Sequence, residues 1–250
     1  PAFILLGEVH DNPLHHQARA ALLRELLADG RPSTVVFEQL GRAQDPALAE
    51  SVRAAPRDAQ ALIEAGGLDQ KGWRWPLHKP LFEAALAGGA RIAGGNLERE
   101  QARRIVREGA AALPADLAAL QARTPWSAAQ QQALLRQIDE GHCGALPASM
   151  HAGMALAQRA RDLAMAQAML NARAAGSERV ILIAGNGHVR RDLAVPLYLR
   201  AAGVPAAEIS SRAWLEAEEV DASAYDSAQR TAAAPREDPC KALKRDTAKP

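Results

Sequence analysis

Short apolar runs alternate with longer stretches of helical spacing along this chain. The apolar runs lie at residues 2–6, 33–37, 91–96, 180–184 and 208–215, and each has the length of a strand. Runs of this kind are typical of strands that are buried on both faces, as in a parallel sheet. The pattern therefore predicts an α/β fold with a mostly parallel central sheet flanked by helices.

The segments between these runs carry helical spacing with recognisable ends. Asn12 and Pro13 predict an N-cap and a first helical turn, and this helix should end near residues 29–30. Further helices are predicted at residues 45–65, 81–86, 97–108, 113–138, 150–175 and 190–202, with Pro196 kinking or starting the last one. Residues 71–80, which hold two of the four tryptophans, predict a loop. A strand, a helix and a second strand in succession indicate a right-handed βαβ unit.

Two helical stretches separate the third and fourth predicted strands. We expect this insertion, residues 111–175, to form a helical lid on a core built from residues 1–110 and 176–220. From residue 221 onward the chain becomes polar and contains prolines, which predicts an irregular tail at residues 221–250.

Polar side chains follow three of the predicted strands at the point where each strand ends. Glu8 and His10 follow the first, Glu38 follows the second, and Asn186 and His188 follow the fourth. Ligands of open α/β sheets bind outside the carboxyl ends of the strands. Although any one of these residues alone is more often a simple turn residue, the repetition predicts a common site.

Two chemistries fit such a site. His10, His188 and Glu38 satisfy the roughly three protein ligands that a catalytic metal ion needs. Alternatively, the site is metal-free, with His10 or His188 as general base and Glu8 or Glu38 orienting it.

Other histidines outside these strand ends are candidates for ligand binding. His78 lies beside Trp73 and Trp75, which suits a flat apolar ligand with an axial donor, although such a cluster is more often a hydrophobic patch. His142 and Cys143, with Met150 nearby, predict either a soft-metal or porphyrin site or a packed helix junction.

The remaining polar candidates flank these positions. His15 and His16, in the first helical turn, are expected to be solvated, with a place at the mouth of the pocket as the less favoured alternative. Arg190 opens the helix after His188, where it can meet an anionic ligand. The segment at residues 159–162 predicts ion pairs on a helix surface or side chains that face the site.

Composition narrows the function classes. The formal net charge is +1, so there is no basic excess for nucleic-acid binding. No apolar run in the sequence reaches the roughly 18 residues that a membrane span needs. The first residues have the pattern of a buried strand and not of a signal peptide. Cys143 and Cys240 either form one disulfide or remain two separate thiols.

Several segments taken together resemble one known family. They are GEVHDNPLHH, VVFEQL, the tryptophan-rich loop followed by PLFEAA, GHCGALP, AQRARDLAMA and ILIAGNGHVRRD. This combination, which runs from about residue 3 to residue 214, is similar to the ChaN family of haem-binding, iron-regulated proteins within the wider Tiki superfamily.

The resemblance implies haem binding linked to haem or iron acquisition, often by an exported lipoprotein that a lipid anchor attaches to a membrane. Exposed aromatic and methionine-bearing loops are compatible with a homodimer. The wider superfamily also includes metal-dependent proteases and erythromycin-esterase-like hydrolases. By resemblance, the positions that those enzymes use are occupied here by Glu8, His10, Glu38 and His188.

One residue departs from the family pattern. Family members commonly carry a tyrosine after the tryptophan-rich loop, in a pattern close to W-x-x-Y, whereas this chain has WPLH with His78 in that place. Either His78 replaces the tyrosine as an axial ligand of haem iron, or porphyrin binding is altered or lost. Histidine is a competent axial ligand, so we expect replacement.

Overall fold

The computed structural model describes residues 1–216, 221–238 and 240–241. This part of the chain forms one sheet from β1 (Phe3–Leu6), β2 (Ser33–Gly41), β3 (Arg91–Asn96), β4 (Arg179–Ile183), β5 (Ile209–Leu215) and β6 (Ser227–Arg230). The strand order is β3-β2-β4-β1-β5-β6, and every neighbouring pair is parallel. The predicted α/β fold with a parallel central sheet is therefore confirmed.

Helices connect the strands and cover the sheet. They are α1 (Pro13–Leu27), α2 (Asp45–Ala54), α3 (Ala59–Ala65), α4 (Lys79–Ala87), α5 (Arg99–Glu108), α6 (Ala115–Ala122), α7 (Ala128–Gly141), α8 (Ala148–Ala174) and α9 (Val195–Ala201). Asn12 caps α1 as predicted, since its side chain accepts a hydrogen bond from the backbone of Leu14. None of the helices in the described residues is long and apolar enough to cross a lipid bilayer.

The sheet is buried on both faces by two apolar clusters. In β1, Phe3 and Leu5 belong to the cluster with α5, α6, α8 and α9, whereas Ile4 and Leu6 belong to the cluster with α1–α4. Successive side chains of a strand point to opposite faces. This two-sided burial explains why the strands are apolar at consecutive positions.

The structure differs from the sequence-based boundaries in three places. Residues 227–230, expected in an irregular tail, form β6, an edge strand whose side chains give no apolar signal. Residues 186–189 form a short 3₁₀ turn and α9 begins only at Val195, because Pro196 suits the first turn of a helix. The second half of α8 packs on the sheet in the same cluster as Val36 and Leu182, although its residues lie in the predicted lid.

The C-terminal segment (residues 231–236) lies across the connection between β1 and α1. Thr231 Oγ1 is 2.7 Å from His15 Nε2, and Arg236 pairs with Asp11 at 2.7 Å. Further along, Cys240 forms a disulfide with Cys143, with their Cα atoms 5.5 Å apart. Of the two alternatives for the cysteines, the structure contains the single disulfide.

Candidate functional site

Three strand ends meet at the carboxyl edge of the sheet because β4 lies between β1 and β2. The backbone N–H of Gly185 donates to Glu38 Oε2 at 2.8 Å, and the backbone N–H of Asn186 donates to the Glu8 carbonyl at 2.9 Å. The turn after β4 therefore holds the side chain of Glu38 and the backbone of Glu8 in place. An ideal Cβ on Gly185 would lie 2.8 Å from the ring of His10, so glycine lets that ring approach closely.

Glu8 is the centre of the first cluster, which we call the Glu8 cluster. Its buried carboxylate is surrounded by four nitrogen-bearing side chains, namely His10, His16, Arg19 and His78. The nearest His10 and His16 nitrogens are each 2.9 Å away and that of His78 is 3.3 Å away. Burial lowers the pKa of His16 to about 4 and that of His78 to about 2. Both rings are therefore neutral near pH 7, and the buried Arg19 supplies the positive charge that compensates Glu8.

Glu38 is part of a second cluster, which we call the Glu38 cluster. His188 lies between two carboxylates, with Nε2 3.3 Å from Glu38 and Nδ1 2.6 Å from Asp162 of α8. Burial would lower the pKa of His188, but the two carboxylates outweigh it and raise that pKa to about 10. Burial would raise the pKa of Glu38, yet the nearby His188 and His10 hold it well below its ordinary value. At neutral pH, His188 can donate a proton but cannot accept one.

A polar cleft of about 860 Å³ opens above both clusters. His10, Glu38, Trp73, Asn96 and Arg161 are among the residues that line it. His10 is the exposed member of the Glu8 cluster, with 47% of its side chain accessible, and the edge of its ring contacts Trp73 at a centroid distance of 5.1 Å. His10 and Trp73 therefore contact each other in the wall of the cleft, beside the buried carboxylates.

The best-placed metal ligands differ from the predicted ones. Within the described residues, Glu8, His10 and His78 offer ligand atoms within 4.8 Å of one another. The predicted set of His10, Glu38 and His188 is not a group of this kind among those residues, although His188 Nε2 lies 3.3 Å from Glu38, and this set stays a prediction.

Comparison with known proteins places this chain in a family. The sequence profile described as haem-binding uptake, Tiki superfamily, ChaN matches residues 2–199. The chain belongs to the ChaN family. No curated protein matches it significantly in sequence.

Solved structures share the fold of this ChaN-family protein. The structure described as cofacial haem binding to ChaN of Campylobacter jejuni has a TM-score of 0.73 at 21% identity, over 90% of this chain and 85% of that one. A succinoglycan biosynthesis protein has a TM-score of 0.51 at 10% identity, over 85% of this chain and 65% of that one. At these identities the likeness shows a common fold.

Several predicted ligand-binding residues lie outside the cleft. The Trp75 indole packs toward Phe82 and donates to Gln60 at 3.0 Å, so it supports the helices beneath the loop. The polar groups of three other predicted residues are taken up by partners within the protein. Asn186 donates to the Trp214 carbonyl, Arg190 pairs with Asp192, and the His142 ring contacts the Ile138 carbonyl.

Sequence reasoning missed part of the Glu8 cluster. His15 and His16 were expected to be solvated, which is wrong, since both are buried. The first turn of α1 is covered by the C-terminal segment on one side and by the tryptophan-rich loop on the other. A signal was present in α1, because His16, Arg19, Leu23 and Leu27 follow the spacing of one helical face that is otherwise apolar.

Proposed function

We propose that this protein binds haem as cargo in haem or iron acquisition, at the wall of the cleft formed by His10 and Trp73. Membership of a haem-binding uptake family supports haem as the ligand. The hydrogen bonding of the His10 ring supports His10 as the residue that binds the iron. His10 Nδ1 is 2.9 Å from the Glu8 carboxylate, while Nε2 has no hydrogen-bond partner among the described residues. Histidines that bind metals commonly have one ring nitrogen held by a carboxylate in this way.

His10 suits the role of iron ligand better than His78, the residue favoured by the sequence pattern. His78 is only 1% exposed, its Nε2 faces Glu8, and it is not among the residues that line the cleft, although it lines a smaller neighbouring cavity with His10 and Trp73. We assign His78 the role of holding Glu8, which in turn orients His10. Trp73 offers a half-buried aromatic surface to the flat porphyrin.

Arg161, which also lines the cleft, offers a positive charge to the propionates of haem. Its guanidinium donates to Asn96 Oδ1 at 3.1 Å and has no carboxylate partner among the described residues. Such a cation would stabilise a haem propionate that enters the cleft, because a carboxylate that is removed from water is stable only when it is paired.

Titration with hemin tests the proposal through the Soret band. Wild-type protein should give a saturable Soret shift, His10→Ala should change the band position and weaken binding by tenfold or more, and Arg161→Gln should weaken it several-fold. His151→Ala is the matched control, since His151 lies in α8 outside the cleft lining. Absence of a shift in the wild type would overturn the haem assignment, and an unchanged His10→Ala spectrum would overturn the choice of ligand.

A second candidate, a metal-dependent hydrolase that acts through Glu8, His10, Glu38 and His188, is favoured by the Glu38 cluster. A protonated His188, positioned by Asp162, can donate a proton to a leaving group, while His10, held by Glu8, can accept one from water. If a divalent ion were held by Glu8, His10 and His78, it would activate the water in place of His10, because an imidazole bound to a metal has no free lone pair to accept a proton. Metal analysis with esterase, peptidase and phosphatase assays tests this candidate. Activity that persists in both His10→Ala and His188→Ala would exclude it.

A further inference from the structure

A second cavity lies at the outer edge of the sheet, away from the cleft. It has a volume of about 740 Å³ and runs along β3 between α2 and the last turns of α8. We call it the edge groove. It shares no lining residue with the cleft, and the turn at residues 42–44 separates the two. Its size falls within the roughly 300–1,000 Å³ range of small-molecule sites.

Small side chains create this space. Ala168, Ala172 and Ala175 follow one another at intervals of four and three along α8, so they share the helical face that lines the edge groove. Ile92 and Val52 complete an apolar floor. None of the lining residues in the described chain is His, Cys, Met or Tyr, so the edge groove offers haem iron no axial ligand.

The charges at the rim favour an anion. Three arginines line the edge groove, but Arg42 pairs with Asp116 and Arg53 pairs with Glu50, so among the described lining residues only Arg91 carries a charge that no carboxylate compensates. The one lining carboxylate, Asp45, accepts the Gly94 N–H at 2.8 Å. Arg91 donates to the Ala175 carbonyl at 3.0 Å and has no carboxylate partner among the described residues. An apolar groove with an available guanidinium at its end is complementary to a chain that carries one acidic head.

We propose that the edge groove binds an amphipathic carboxylate of the fatty-acid class, with its head on Arg91 and its chain along Ala172 and Ile92. Each methylene buried should raise the association constant about fourfold until the groove is full. This site is independent of the proposed haem site.

Calorimetric titration with dodecanoate, below its micellar concentration, tests the proposal. The wild-type protein should bind about one equivalent, octanoate should bind more weakly, and neutral dodecanol should bind at least tenfold more weakly than dodecanoate. Arg91→Gln should weaken dodecanoate binding about tenfold, as for loss of one charge-assisted contact. Ala172→Phe should abolish binding by filling the groove.

Matched substitutions on the exposed face of α1, Arg24→Gln and Ala21→Phe, should leave dodecanoate binding unchanged. Hemin titration and circular dichroism of Ala172→Phe report whether that variant folds, and haem binding should be retained. No binding by the wild type, equal binding of dodecanol, or an unaffected Arg91→Gln would overturn the proposal. A change of oligomeric state in Ala172→Phe with dodecanoate binding intact would instead make the groove a subunit contact.

Discussion

Glu8 and Glu38 occupy equivalent places at adjoining strand ends, and both are buried, but they set opposite protonation states in their neighbours. Arg19 compensates the charge of Glu8, and burial lowers the pKa values of the adjacent His16 and His78, so both rings stay neutral. Glu38 forms no ion pair with an arginine among the described residues, and together with Asp162 it keeps His188 protonated. A buried carboxylate thus holds a proton on an imidazole only where no stronger cation already compensates its charge.

This difference divides the chemistry of the cleft between its two sides. Neutral imidazoles keep a nitrogen lone pair for a metal ion, so the Glu8 cluster suits ligation. The imidazolium of His188 has no free lone pair, so the Glu38 cluster suits donation of a proton. The predictions below test this division.

Removal of the Arg19 charge should have the largest effect. Arg19→Met would leave the Glu8 carboxylate buried without its main partner, and breaking one side of a buried ion pair costs about 3–5 kcal/mol. The free energy of unfolding, measured in urea, should fall by that amount. The pKa of His16 or His78 should rise at the same time, because an imidazole then compensates Glu8.

Arg24→Met on the exposed side of α1 is the control, with an expected change within about 0.5 kcal/mol. An Arg19→Met variant as stable as the control would show that Glu8 does not depend on Arg19.

Loss of the disulfide should have the next largest effect and should act on the Glu8 side alone. The C-terminal segment contacts Asp11, Asn12 and His15, which belong to the connection that carries His10. The double variant Cys143→Ser with Cys240→Ser should lose about 2–4 kcal/mol, since the open chain gains entropy when unfolded.

NMR signals of the imidazole rings distinguish the two sides in that variant. The His15 signal should shift and the His188 signal should not. Wild type treated with a dithiol reductant should reproduce both results, whereas a matching shift at His188 would contradict the separation of the clusters.

The sequence predicts the strands and their polar ends because a parallel sheet requires apolar residues at consecutive positions and places its ligands at one edge. It predicts His10 as a partner of Glu8 but not the other partners, because long-range packing of α1 and the tryptophan-rich loop brings His16, Arg19 and His78 together. The pairing of Cys143 with Cys240, 97 residues apart, is hidden for the same reason. The sequence left Asp162 either on a helix surface or facing the site, and only the packing of α8 decides this by burying Asp162 against His188.

Gly185 lies where the two clusters meet, and a methyl group there should disturb one of them more than the other. In Gly185→Ala the added Cβ would lie 2.8 Å from the His10 ring but 3.7 Å from Glu38 Oε2. We expect a loss of about 1–3 kcal/mol in the free energy of unfolding, as for other crowded sites. Hemin binding should weaken because His10 moves, while the pKa of His188 should stay high. A His188 pKa that returns to its ordinary range would contradict this asymmetry.

The mildest test needs no substitution: it is a profile of stability against pH, whose acid and alkaline limbs come from the two sides of the site. Burial lowers the pKa values of His15, His16 and His78 to about 4, 4 and 2, so below pH 6.5 the unfolded chain binds more protons than the folded chain. Stability should therefore fall as the pH falls below 6.5. The pKa of His188 is raised to about 10, so above pH 6.5 the folded chain keeps a proton that the unfolded chain loses, and stability should fall as the pH rises.

Urea unfolding between about pH 5 and pH 8.5, a range that brackets the ordinary imidazole pKa, measures both limbs. Each titrating group changes the free energy of unfolding by at most about 1.4 kcal/mol per pH unit. His188→Gln should flatten the alkaline limb and leave the acid limb in place, because it removes the proton acceptor of the Glu38 cluster only. His151→Gln, outside the cleft, should leave both limbs unchanged. An alkaline limb that persists in His188→Gln would mean that His188 is not the residue that holds the extra proton, and the contrast between the two glutamates would then need a different origin.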